Sequence, residues 1–190
     1  MKEKSLFFLP LLLSLLCATT GTAYEPGPDI IRECPKCRIL FWIDEAKKRG
    51  EQRGWDKDKK WPNATKPILP TEADFVSLLG GAELSQKKEL YLRRRAWWAA
   101  NDVTRTNKSA TARWSPTQEA NLQVLANMMD EKNPDQRITK AEILRELKKF
   151  DDCINLLSQS FEEKRHAEVA AFIKGLAEHK ASTVKEIKDD

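Results

Sequence analysis

The chain has 190 residues, 41% of them hydrophobic and 33% charged, with a formal net charge of +4. That suits one modest domain with a buried core. Its 33 basic and 29 acidic residues are interleaved, without the clustered basic face that marks a nucleic-acid binder, so no nucleic-acid partner is expected. Only 7 glycines occur, and no GxGxxG, Walker or GxSxG pattern, which argues against the motif-bearing nucleotide-binding folds and the serine-hydrolase elbow.

Residues 1–23 have the three-part form of a secretory signal peptide. Lys2 and Lys4 give a basic start, an apolar run follows from Leu6 to about Cys17, and Gly21-Thr22-Ala23 supplies small residues for cleavage near Ala23. The apolar run is broken by Pro10 and falls short of the ~20 residues a membrane span needs. Lipid attachment at Cys17 is the lesser reading, because Leu16 stands where a lipobox wants a small residue. The expectation is a secreted or periplasmic protein with no stable membrane span after cleavage. Losing Lys2, Lys4 and Glu3 takes the net charge from +4 to +3.

Residues 24–83 read as an irregular arm rich in Pro and Trp. "YEPGPDIIRECPK" is a lead-in. The stretch from Ile39 to Gly54 is apolar and then charged, and Phe41, Trp42 and Ala46 are placed to begin a short helix. Trp55 and Trp61 sit in a lysine- and proline-rich loop whose rings are placed to tuck into the body. A helix starts after Pro70, with Thr71 as cap and Phe75, Val76, Leu78 and Leu79 as apolar residues, and stops at Gly80-Gly81. No strand is expected beyond two or three residues around Ile39. Asn63 and Asn107 lie in glycosylation sequons, which matter only in a eukaryotic secretory pathway.

Residues 84–190 read as helical throughout. From Ser85 a long helix carries Leu90, Tyr91, Trp97 and Trp98 on one side and Leu92, Ala96, Ala99 and Val103 on the other. A helix apolar on two sides is usually sandwiched between others. Arg93 to Arg95 are expected to point outward or pair with acids, with Arg94 near the Trp side for a cation–π contact. After a polar linker, Ser115, Pro116 and Gln118 give N-cap, first-turn proline and capping box. That helix carries Leu122, Leu125, Met128 and Met129 and ends at Asn133-Pro134. Further helices are expected at about Asp135–Leu147, Asp151–Ser158 and Glu162–His179. His166 and His179, among charged residues, read as solvated surface.

Cys34-Pro35-Lys36-Cys37 is the one motif with chemistry in view. A CPxC turn is half of a common zinc knuckle, but tetrahedral zinc needs four ligands. The rest of the mature chain offers only Cys153, His166 and His179 as further Cys or His, unless a second chain shares the ion. A redox pair of the thioredoxin kind needs a strand-to-helix junction in an α/β fold, although Lys36 and Arg38 would favour the thiolate. A disulfide in an oxidising compartment is the favoured reading. It would close Cys34 on Cys37, or tie one of them to Cys153, and three mature cysteines leave one over.

The stretch "AEILRELKKFDDCINLLSQS" resembles the core of a tetratricopeptide repeat, a 34-residue helix-turn-helix unit. Over about residues 137–160, Ala141 takes the small position of the first helix and Leu144 the apolar one three later. Lys148 stands where the turn usually has glycine. Phe150 is the aromatic that enters the second helix, Cys153 the small residue facing the partner helix, Leu157 the large apolar one, and Ser160 closes the unit. The turn glycine and the closing proline of the pattern are absent. The resemblance implies a repeat-like C-terminal body that binds another protein through a helix face. Together these readings give an all-α fold of helical hairpins and an exported or envelope-associated interaction module with no catalytic residues. The alternative is a small zinc-binding or thiol/disulfide protein using Cys34 and Cys37.

Overall fold

A computed structural model of the protein describes residues 31–47, 65, 67–81, 83–106 and 114–183. Among these, a two-stranded hairpin precedes six helices. The strands are β1 (Ile31–Glu33) and β2 (Leu40–Trp42); the helices are α1 (Glu72–Leu79), α2 (Gln86–Thr106), α3 (Pro116–Asn127), α4 (Pro134–Glu146), α5 (Phe150–Leu157) and α6 (Lys164–Glu178). The fold is all-α, built of helical hairpins, and none of its described helices is long and apolar enough to cross a membrane.

Local chemistry sets most of the helix starts. Thr71 and Asp74 form a reciprocal capping box at α1, and Ser115 and Gln118 form another at α3. Each box satisfies two backbone donors that a helix start leaves without partners. Asn133 caps α4 and Pro134 occupies its first turn. The Asn133-Pro134 pair therefore opens α4, six residues after α3 has ended at Asn127. The turn between α4 and α5 passes through Lys148, whose φ of 61° lies in the left-handed region. Lys149 then donates its N–H to the Leu144 carbonyl at 2.9 Å, closing α4 as a glycine-ended helix would close.

Each helix packs on the next, and α4 also touches α6. Three apolar clusters fill the seams. The first joins Ile31 and Phe75 to Leu92 and Ala96 of α2. The second joins Trp97 and Trp98 of α2 to Leu122, Leu125, Ala126, Met129 and Ile143. The third joins α4, α5 and α6 through Ile138, Ala141, Leu144, Cys153, Leu157, Val169 and Ile173, with Phe150 packed against it. So α2 belongs to the first two clusters and α4 to the last two, as the two-sided pattern of α2 requires. Tyr91 lies with the Leu92 side, against Trp42, instead of with the two tryptophans. The side chain of Val103 lies outside the described residues. Burying each large aliphatic side chain contributes roughly 2 kcal/mol before entropy is counted, so the seams, not helix propensity, hold the body together.

The arm departs most from expectation. Phe41 and Trp42 are in a strand, not at the start of a helix, and residues 43–46 are turn. The antiparallel register pairs Ile31 with Trp42, Arg32 with Phe41 and Glu33 with Leu40. On its other edge Glu33 bridges to Ile68 through two backbone bonds of 3.0 Å. Ile31 and Phe75, both from the arm, share a cluster with α2, so the arm's described part is layered on the helical body. The leader with Cys17 and Ala23, Trp55, Trp61, and the sequons at Asn63 and Asn107 lie outside the described residues.

Candidate functional site

The Cys34–Cys37 motif forms the turn of the hairpin. Main-chain bonds fix it: Cys34 N–H donates to the Ile39 carbonyl and Arg38 N–H to the Cys34 carbonyl, each at 2.9 Å. Arg38 turns the chain back with a φ of 61° and pairs with the buried Glu33 carboxylate. The Cys34 thiolate is favoured first by the nearby backbone N–H of Cys37, then by that of Lys36 and the Cys37 side chain, and also by the Lys36 charge. These donors stabilise the thiolate and lower the Cys34 pKa, against a smaller opposing effect of burial. Cys34 is half-buried and Cys37 exposed, and both carry free thiols.

Cys153 has opposite surroundings. Its thiol is fully buried in the α4–α6 cluster. Burial, with the Glu142 charge, pushes its pKa up to about 12. The structure brings Cys34 and Cys37 together and places Cys153 in a different cluster from the hairpin. Among the described residues no group of three or more His, Cys, Asp and Glu is placed to hold a metal ion.

The C-terminal end of α4 buries two charged residues in succession, which the sequence pattern did not reveal. Glu146 accepts a 2.6 Å hydrogen bond from the Trp97 indole N–H and a 3.3 Å bond from the Asn101 amide. Burial, reinforced by Glu142, raises its pKa to about 8 despite these donors and the nearby Arg145. Arg145, 0% exposed, forks onto the Glu142 carboxylate with bonds of 2.8 and 2.6 Å. Its remaining nitrogen donates to the Ala181 carbonyl and, at 3.0 Å, to that of Thr183. This pins the chain beyond α6 to α4. One sequence signal pointed here: a buried Trp97 needs an acceptor for its N–H.

His166 corrects the solvated-surface reading. It is buried beside the start of α4, with Nε2 2.9 Å from Asp135 Oδ1 and Nδ1 3.4 Å from Glu163 Oε2. Next to it Arg137 stacks on Phe161 at 3.8 Å. His179 is exposed, as expected, with Nδ1 2.7 Å from the Gly175 carbonyl. The arginines of α2 are half-buried, and the expected acid pairing of Arg93 and cation–π contact of Arg94 are both present. Arg93 pairs with Glu89 at 2.7 Å, while Arg94 and Arg95 flank the Trp98 ring at 6.0 and 5.7 Å.

A groove of about 450 Å³ runs across α3, α4 and α5. Its walls carry four carboxamides (Gln123, Asn127, Asn155 and Gln159) and four charges (Glu131, Lys140, Lys149 and Asp152), and Leu144 and Leu156 contribute the apolar part. Lys140 is held to Glu131 at 2.6 Å, and Lys149 bonds to Gln123. Sequence reasoning named Leu144 as a packing residue only. The carboxamides come from α3 (Gln123 and Asn127), α5 (Asn155) and the chain just beyond α5 (Gln159), so local spacing links the members of each pair but not the two pairs.

Compared with known proteins, the chain matches no family model, no curated protein and no solved structure.

Proposed function

We propose that the protein is an exported protein–protein interaction module that takes an extended segment of a partner in the groove across α3, α4 and α5. One observation carries this reading: four carboxamides converge on one groove with Leu144 and Leu156 between them. A carboxamide offers both a donor and an acceptor, which is what the backbone of an extended peptide requires of its receptor; a peptide would exchange its bonds for those that Gln123 makes to Lys149 and Asn127, and Gln159 to Arg137. The leucines offer an apolar contact for one or two of the peptide's side chains, and Lys140, Lys149, Glu131 and Asp152 supply charge selectivity at the rim. Two sequence features support the reading. The leader at residues 1–23 argues for export, and the resemblance of residues 137–160 to a tetratricopeptide repeat argues for peptide recognition.

The test is a peptide library displayed against the full chain and against an Asn127→Ala/Asn155→Ala variant. Both positions are exposed, so the variant should keep the helical circular dichroism of the parent. Peptides that bind the parent and bind the variant at least about ten-fold more weakly, the loss of one to two well-made hydrogen bonds, support the groove. Peptides that bind both equally, or a parent that selects none, overturn it.

A further inference from the structure

The groove leaves the hairpin turn without a role, and the turn has the parts of a reactive site. It holds two thiols three residues apart on one tight turn, both of them reachable from solvent. The main-chain bonds that shape the turn run between Cys34, Arg38 and Ile39 and involve neither sulfur. The two sulfurs are therefore free to join or part while the hairpin stays intact. The pair is asymmetric: Cys34 receives the donors and Cys37 is the more exposed. Beside it, Ile39 is 63% and Leu69 is 65% exposed. The Cys34–Ile39 and Glu33–Ile68 pairings bring both to the same end of the hairpin.

We propose that the Cys34–Cys37 turn is a thiol–disulfide exchange site, with Cys34 as attacking sulfur, Cys37 as resolving sulfur and an accessible disulfide in another polypeptide as substrate. The Cys34 thiolate attacks one sulfur of the substrate disulfide. That S–S bond breaks, a mixed disulfide forms, and the displaced sulfur leaves as a thiolate that takes a proton from water. Cys37 gives its proton to water as its sulfur attacks Cys34, which breaks the mixed disulfide and releases the second substrate sulfur. Two electrons pass from the chain to the substrate: two thiols become the Cys34–Cys37 disulfide, and the substrate disulfide becomes two thiols. The same steps run backward when the substrate is a dithiol and the turn is oxidised. The thiolate needed for the first step is the one the N–H groups stabilise. Ile39 and Leu69 give a polypeptide substrate an apolar contact that a small disulfide would not use.

The experiment treats the full reduced chain, Cys34→Ser and Cys37→Ser with oxidised glutathione and, separately, with a disulfide-bonded peptide whose cysteines are flanked by apolar residues. Circular dichroism controls for the fold, and metal content is measured on the same samples. The expected result is an adduct trapped on Cys34 in the Cys37→Ser variant, no lasting adduct on the wild type, which goes on to its internal disulfide, and adduct formation about ten-fold or more slower in Cys34→Ser. Ile39→Ser/Leu69→Ser should slow the peptide reaction several-fold and leave that of glutathione unchanged. Equal rates for the two cysteine variants overturn the assignment of roles. A wild type that stops at the adduct overturns the exchange step. Zinc at one ion per two chains with both thiols protected overturns the site, and an equal effect of Ile39→Ser/Leu69→Ser on both probes overturns the polypeptide substrate.

Discussion

The hairpin turn and the α4–α6 cluster give cysteine two opposite environments. At the turn, Cys34 is half-buried under backbone N–H donors that hold its pKa down. In the cluster, Cys153 has no such donors among the causes acting on it, and burial drives its pKa up to about 12. The charged residues divide in the same way. Arg38 is solvent-exposed on its pair with Glu33, whereas Arg145 is fully enclosed and spends its donors on Glu142, Ala181 and Thr183. The difference teaches that surroundings decide the sign: neighbouring N–H groups favour the thiolate at the turn, and an apolar shell disfavours it in the cluster.

The largest break in that contrast comes from Arg145. Arg145→Leu should leave the Glu142 carboxylate and two carbonyls without their donor and cost about 3–5 kcal/mol in urea unfolding. The equivalent change at the turn, Arg38→Leu, should cost less, about 1–3 kcal/mol, because its guanidinium is exposed although the Glu33 carboxylate it leaves is buried.

Glu146 sharpens the contrast through pH. Its folded pKa is raised to about 8 from 4.5. Its neutral form is therefore the one that folding favours. The associated stability is complete below about pH 4.5 and is lost as pH rises through 8, by roughly 5 kcal/mol. Glu146→Gln, which stays neutral, should flatten that decline: thermal unfolding at pH 9 should shift upward relative to wild type and differ little at pH 4.

These buried charges also mark where the sequence stopped being legible. The caps at Thr71 and Ser115 and, Tyr91 apart, the two faces of α2 follow from local spacing, while Ala141, Leu144, Cys153 and Leu157, named from the repeat resemblance, lie together in the α4–α6 cluster. Arg145 and Glu146 sit in a run of Arg, Glu and Lys that reads as a solvated face. Only the third dimension supplies Trp97, Asn101 and the chain at 181–183. His166 was hidden likewise, because its partner Asp135 is 31 positions away. Two or three strand residues were expected around Ile39, where β2 lies, but β1 and the place of Phe41 and Trp42 in the strand were not, because runs of three are too short for a period to show and pairing decides them. The groove was not readable as a whole, since its two carboxamide pairs, Gln123 with Asn127 and Asn155 with Gln159, lie far apart in the chain.

Smaller effects complete the comparison. Cys153→Ser puts a hydroxyl in an apolar cluster and should cost about 1–3 kcal/mol, while Cys37→Ser at the exposed turn should change stability by less than about 0.5 kcal/mol. Lys148→Gly relieves a left-handed residue and should stabilise the α4–α5 hairpin by about 1 kcal/mol or less. All three are read from the midpoint of denaturant unfolding.

The most direct test of the account is the alkylation rate of each cysteine in the native full chain, followed by mass spectrometry across pH. The account predicts that Cys34 reacts first and already at a pH below that of an ordinary thiol, that Cys37 follows, and that Cys153 stays unmodified until the protein is unfolded. Native-state labelling of Cys153, or a Cys34 no more reactive than an ordinary thiol, would contradict it.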